Sequence, residues 1–260
     1  MKKTLIALAV ATSAAVSGSA MAWTANGTGN SVDLGGTLTP VGKKITPWEV
    51  KTGAAVTGLD AQVTQGQTVV DVVVKNAIPV LGIRTQEVGK SFPAQAGINP
   101  AISYQNAVDF DGAFKGTAKL KLVVQDATGT KIGKLEANIF TGAGIARSDA
   151  AGGDAYSAYE TGNSFMGGIA NSDHVMDSLS RLISELNNID PEITANFTWM
   201  DKPDIGTWRS PDFINNGNYS AFYGSGIKAN EKIRITLDQG VTGDTQIQWK
   251  ASLPVTVSYM

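Results

Sequence analysis

Apolar and polar positions alternate along most of this chain in short runs bounded by turn residues, the period of half-buried strands. Such runs lie at Val69 to Val74, Ile78 to Arg84, Ile102 to Tyr104, Lys119 to Val124 and Lys134 to Phe140. Between the last two, Asp126-Ala127-Thr128-Gly129 has the composition of a hairpin turn. Alternation returns at Ile193 to Trp199, Ser220 to Tyr223, Lys232 to Leu237 and Thr245 to Lys250, and the chain closes on Leu253, Val255, Val257 and Tyr259 in strict alternation. One stretch has the other period. Val175, Met176, Leu179, Leu182, Ile183 and Leu186 recur at three- and four-residue spacings and predict an amphipathic helix, capped by Ser172 or Asp173 and stopped by Asn187-Asn188 and Asp190-Pro191. The Gly-, Ala-, Asp- and Ser-rich segment from Thr141 to Thr161 reads as a loop or insertion. The polar stretch after Trp199, with Pro203, Trp208, Pro211 and the turn Asn215 to Asn218, shows no strand period. The pattern predicts an all-β sandwich with a helix-containing insertion at about 141–211.

The first 22 residues stand apart. Met1-Lys2-Lys3, an apolar run from Leu5 to Val16 and small residues ending Ala20-Met21-Ala22 form a secretory signal with cleavage before Trp23. The apolar run is shorter than the ~20 residues of a membrane span. From Thr24 to Thr39 the composition is Gly, Asn, Ser and Thr, yet Val32, Leu34, Gly36 and Leu38 fall on one face of an extended strand with no local partner set. Residues 23–39 therefore read as an extension and 40–260 as the folded domain.

Composition narrows the function classes. Of 21 basic residues, Lys2 and Lys3 leave with the signal, so the mature chain carries 19 against 23 acidic, a net charge of −4. No basic footprint for nucleic acid remains. Cysteine is absent, which removes thiol catalysis, thiolate metal sites and disulfide staples from an exported chain.

Candidate chemistry is sparse. His174 is the only histidine and falls at the start of the expected helix, with no nucleophile and acid arranged around it. Asp109 and Asp111 share a strand face, but local alternation does not place two carboxyls across a scissile bond. Asp149 and Asp154 flank a Gly-Gly turn without the repeated acidic spacing of a calcium loop. No catalytic residue, metal site or cofactor is expected. Trp199, Trp208, Arg209 and Tyr219 lie in or beside the polar stretch, and aromatic faces beside polar groups are the components of a carbohydrate site.

Several stretches resemble the Fae-type, K88-like family of chaperone-usher fimbrial subunits. They are Trp23 with Asn30-Ser31-Val32-Asp33-Leu34-Gly35-Gly36-Thr37-Leu38-Thr39, Pro47-Trp48-Glu49-Val50-Lys51-Thr52-Gly53, Leu81-Gly82-Ile83-Arg84-Thr85, Gly129-Thr130-Lys131-Ile132-Gly133, Leu179-Ser180-Arg181, and the tail from Tyr223-Gly224-Ser225-Gly226-Ile227 to Tyr259. The region from about Thr141 to Pro211 departs most from the family, so the chain resembles a minor more than a major subunit, and Ile247 stands where many pilins have a glycine. The resemblance implies an incomplete immunoglobulin-like sandwich, completed by a donated strand. It implies a periplasmic chaperone, an outer-membrane usher and other fimbrial subunits as partners, with host glycans as a further ligand class, and export through the periplasm to a cell-surface fimbrium. On that pattern Val32, Leu34, Gly36 and Leu38 form the donor strand, and Leu253, Val255, Val257 and Tyr259 line the acceptor groove. A glycan-binding adhesin is the alternative. An outer-membrane barrel fits poorly, because its repeated ~10-residue segments with a lipid-facing row are missing.

Overall fold

The computed structural model describes residues 46–149, 153–243 and 246–260. The signal segment and the extension with Val32, Leu34, Gly36 and Leu38 lie outside the described residues. The strands in chain order are β1 (Trp48–Thr52), β2 (Val69–Val73), β3 (Ile78–Thr85), β4 (Phe92–Pro93), β5 (Pro100–Ser103), β6 (Val108–Phe114), β7 (Thr117–Asp126) and β8 (Lys131–Ser148). They continue with β9 (Ala155–Tyr159), β10 (Asp204–Arg209), β11 (Asn218–Ile227), β12 (Lys232–Leu237), β13 (Trp249–Ala251) and β14 (Thr256–Tyr259). A single α-helix among the described residues, α1 (Leu179–Asn187), falls between β9 and β10. The fold is all-β with a sandwich arrangement.

The long strand β8 organises both layers. Its first half pairs with β7 on one edge and β12 on the other, and β12 continues to β2, giving the path β2-β12-β8-β7-β13. Its second half pairs with β9 and β11, giving the path β10-β9-β8-β11-β3-β1. All ladders are antiparallel except β9 with β10. The hairpin expected at Asp126 is present: the Asp126 carboxylate accepts from the backbone N–H groups of Thr128 and Thr130, each at 2.9 Å.

The segment from Thr141 that reads as a loop is the second half of β8, and Thr141 to Ala146 are all buried. The reason is that both faces of this sheet are covered. Ala143 and Ile145 face one core with Leu81, Ile83 and Tyr223. The opposite face carries glycines: Gly82 of β3, Gly224 of β11 and Gly142 of β8 are register partners in a row across three strands. Onto this floor pack Leu179, Leu182 and Leu186 of α1, followed by Ile189 and Ile193. A Cβ at Gly224 would stand 2.6 Å from Leu186 Cδ2, closer than any side chain tolerates. Gly in a strand marks such a close approach.

The helix begins later than its apolar stripe suggests. Ser172–His174 form one 3₁₀ turn, Val175 is extended, and α1 starts at Leu179 behind the cap Ser178. The Gly116 N–H donates to the His174 carbonyl at 2.7 Å, so that carbonyl is not free to start a longer helix. Asp204 on β10 accepts from Ser180 N–H at 3.3 Å at the helix N-terminus, where negative charge is favourable. Ile193 to Trp199 is likewise no strand. It contains the end of a 3₁₀ turn and further turns, with Ile193 seated over Gly82 and Phe197 edge-on to Phe222 at 5.1 Å. Strand β10 occupies part of the stretch that shows no strand period.

Three cores result. One lies between the inner face of the β3-β11-β8-β9 region and the β5-β14 pair, and is rich in aromatics: Trp48, Phe92, Phe165, Phe213 and Tyr219 contact one another at 4.9–6.2 Å between rings. Trp48 also donates its indole N–H to Ile98 O at 2.6 Å. A second lies inside the β2-β12-β8-β7-β13 path. The third is the helix on its glycine floor.

Candidate functional site

The C-terminal strand is only half covered by the described residues. From Trp249 to Tyr259 the odd-numbered residues turn inward and the even-numbered ones face solvent, the two-residue period of a strand against a core. Leu253, Val255, Val257 and Tyr259 all pack on the aromatic core, and Leu253 also touches the second core. None of the four is fully buried. The contrast is with β12, whose inward Ile233 and Ile235 are 2% and 4% exposed. The same alternation is thus covered in one strand and half open in the other.

Backbone pairing gives the same picture. Residues of β13 pair with β7 (Trp249 opposite Asp126, Ala251 opposite Val124), and residues of β14 pair with β5 (Val257 opposite Ile102, Tyr259 opposite Pro100). Neither strand has a second neighbour among the described residues, and Ser252 to Val255 belong to no ladder. Beside this gap a cavity of about 290 Å³ opens between Ala107, Lys121, Ser252 and Pro254. The last residue is pinned: Met260 N–H donates to Asn99 O at 3.0 Å and Asn99 N–H to Met260 O at 3.3 Å. Burial raises the pKa of the Tyr259 hydroxyl, consistent with its inward direction.

At the far end of the same path, β2 pairs with β12 alone among the described strands. Its Val70 and Val72 are 8% and 2% exposed and belong to the second core, against which Trp249, Ala251 and Leu253 also pack. Two end strands therefore line one core without being hydrogen-bonded to each other. Among the described residues the outer edges of β2 and β13 and the stretch Ser252 to Val255 pair with no strand, and the apolar core beneath them is the open seam. Such edges invite pairing with another strand. The outer face of this layer is by contrast a ladder of alternating charge, Lys121, Glu136, Arg234 and Asp71 in register across four strands. Arg234 Nε meets Asp71 Oδ1 at 2.8 Å and Lys121 Nζ meets Asp109 Oδ2 at 3.0 Å. Hydrogen bonding to Arg234 holds the Asp71 carboxyl below its usual range, and Lys121 does the same to Asp109.

The aromatic residues considered for a carbohydrate site are not brought to one surface. Trp199 packs edge-on to Phe197 at 5.8 Å on the helix side of the sheet. Tyr219 is 4% exposed in the aromatic core on the other side, its hydroxyl donating to Asn215 O at 3.1 Å. Trp208 and Arg209 stay exposed on β10, which among the described strands pairs with β9 alone. His174 Nδ1 is buried without a hydrogen-bond partner in the described residues. Asp109 and Asp111 remain on the surface, and Asp154 accepts from Arg147 at 3.1 Å. Among the described residues no group of three or more His, Asp or Glu side chains is placed to hold a metal ion. No described helix is long and apolar enough to cross a membrane.

Sequence reasoning missed that β2 is a second sheet edge packed on this core. Val70, Val72 and Val74 alternate as clearly as the tail does, but a sequence does not show which strand lacks a neighbour.

A family model described as "Fimbrial, major and minor subunit" matches residues 1–260. The chain is 30% identical over 300 positions to K88 fimbrial protein AB of Escherichia coli and 31% identical over 292 positions to K88 fimbrial protein AC of the same organism. It is 26% identical over 303 positions to the F41 fimbrial protein of Escherichia coli. Each alignment covers 100% of both chains.

Proposed function

The chain belongs to the family of K88 fimbrial major and minor subunits, and we propose that it is a minor structural subunit of an adhesive fimbria, joined to its neighbours by strand addition. In this reading residues 1–22 are removed on export and 40–260 form a receiving domain whose insertion carries α1. A periplasmic chaperone first fills the seam. At an outer-membrane usher, residues 23–39 of a neighbouring subunit then replace the chaperone's strand, and the product is displayed at the cell surface. Chaperone–pilin complementation is itself a known instance of strand addition, so the mechanism is inherited from that mode of recognition.

The observation that carries the reading is the half-buried inward row Leu253, Val255, Val257 and Tyr259 beside an edge with which no described strand pairs. The row Val32, Leu34, Gly36 and Leu38 has the matching period. Burial of Val32, Leu34 and Leu38 would each contribute ~1.5–3 kcal/mol by transfer, an upper bound. Gly36 suits a shallow point of the groove. Deleting residues 24–38 should leave a subunit that still binds its chaperone but does not insert into the next subunit; normal polymerisation of that deletion would overturn the proposal.

A glycan-binding role is a second reading, favoured by the exposed neighbours Trp208 and Arg209 on β10, which among the described strands pairs with β9 alone. A glycan array with a monomer whose seam is filled by its own fused donor segment tests it, and absence of binding at millimolar sugar counts against it.

A further inference from the structure

The connection between β1 and β2 is held mainly at its two ends. From Ala54 to Val63 no backbone N–H or C=O makes a hydrogen bond within the described residues, and no side chain makes an ion pair. Every one of these residues is exposed except Leu59, and Asp60 carries the only charge. A segment whose backbone bonds to none of the described residues is fixed, among them, by its ends. Those ends are Gly53, whose N–H donates to Val80 O at 2.9 Å, and Gly66, whose N–H donates to Val241 O at 2.8 Å. The middle is held by a single side chain: Leu59 is half buried against the core of the β2-β12-β8-β7-β13 path. That is the core onto which the seam opens, and the strap runs directly into β2, a strand at the edge of that core.

We propose that Leu59 is a placeholder in the seam, and that the strap from Ala54 to Gln65 leaves the core when an incoming strand fills it. This rests on the strand-addition reading above. A strand entering there brings its alternate apolar side chains to the core that Leu59 now covers, and close-packed interiors hold only one occupant per volume. The strap yields readily because its release breaks no hydrogen bond or ion pair that Ala54 to Val63 make to the described residues, and it uncovers one leucine. While in place it reduces the apolar area shown by an empty seam, which lowers the tendency of the open edges to capture a wrong strand. It also sets a threshold: a strand that offers several apolar residues in register displaces Leu59, and one that offers a single residue does not.

The chain has no cysteine, so Leu59→Cys provides one reporter thiol. The full mature chain carrying it is treated with a maleimide, alone and after addition of a synthetic peptide of residues 23–39. Labelling should be slow at first and rise several-fold on peptide binding, toward the rate of a Val63→Cys control, whose position is 39% exposed. Labelling that is unchanged or slower with peptide overturns the placeholder role, since Leu59 then lies outside the seam or becomes part of the filled core. As a second variant, Leu59→Ala should capture a fluorescent peptide of residues 23–39 several-fold faster than the wild type; slower capture overturns the proposal. If neither the wild-type chain nor the chain lacking residues 24–38 takes up peptide, the strand-addition reading itself fails, and the anisotropy measurement shows that before any thiol is labelled.

Discussion

Replacing Gly224 by alanine puts one methyl group between the sheet and α1. The new Cβ would stand 2.6 Å from Leu186 Cδ2 and 3.0 Å from both Leu186 Cδ1 and Ile193 Cγ2. Carbon atoms in contact prefer about 3.5–4.0 Å, so Leu186 must retreat by roughly 1 Å. Leu186 is 0% exposed and has no free volume to enter. Overpacking of this kind costs about 1–3 kcal/mol. Alanine recovers about 0.5–1 kcal/mol over glycine in a strand, because the unfolded chain loses freedom. The expected net destabilisation of Gly224→Ala is therefore ~0–2.5 kcal/mol. Leu186→Ala alone should cost about 2–5 kcal/mol by opening a cavity. In the double variant the methyl added at position 224 enters that cavity, only the Ile193 contact remains tight, and the cost of Gly224→Ala should fall close to zero. Urea unfolding followed by tryptophan emission on the mature chain and its three variants gives the coupling energy, expected at ~1–2 kcal/mol. A coupling below about 0.5 kcal/mol, the additivity limit for independent sites, would refute the account of the glycine floor.

Alkaline pH should unfold the chain through its core tyrosines. Burial pushes the Tyr104 hydroxyl up to about 12 and also raises Tyr223 and Tyr156. The folded state thus keeps protons that the unfolded state, with tyrosines near 10, releases. Stability is complete below pH 10 and falls as pH rises through 12, by up to ~1.4 kcal/mol per pH unit for each tyrosine. Tyrosinate absorbance and loss of native circular dichroism should appear together; titration of all six tyrosines near pH 10 in an intact fold would contradict this. Val257→Asp places a charge in the inward row of the seam and should weaken uptake of the 23–39 peptide at least tenfold, ~1.4 kcal/mol. Ser258→Asp, on the solvent side, should leave uptake unchanged by fluorescence anisotropy. Asn196 is buried and donates to Thr85 O at 2.8 Å and Gln86 O at 3.0 Å. Asn196→Ala should lose about 1–3 kcal/mol by stranding those carbonyls, read as a lowered thermal midpoint.

Short-range pattern located most strands. Lys232 to Leu237 is β12 to the residue, and Val69 to Val74 and Ile78 to Arg84 differ from β2 and β3 by one residue at an end. The errors fall where a second layer decides what a residue is for. Gly142 and Gly144 look like loop glycines in sequence, but they are small because Leu182, Leu179 and Phe222 press on them. Val175 and Met176 share the helical stripe of Leu179 and Leu182, yet the bond from Gly116 to the His174 carbonyl keeps them outside α1. Trp48 stands in a polar context, Pro47-Trp48-Glu49, and nothing local indicates that it is the hub of the aromatic core.

Alternation by itself determined which face of each strand turns inward, including Leu253, Val255, Val257 and Tyr259, because a two-residue period is a property of the strand alone. Whether that face is covered is a property of neighbours distant in sequence. Only the tertiary structure decided that Ile233 and Ile235 are sealed while the tail row stays half open, and that β2 and the C-terminal strand share a core without sharing a hydrogen bond.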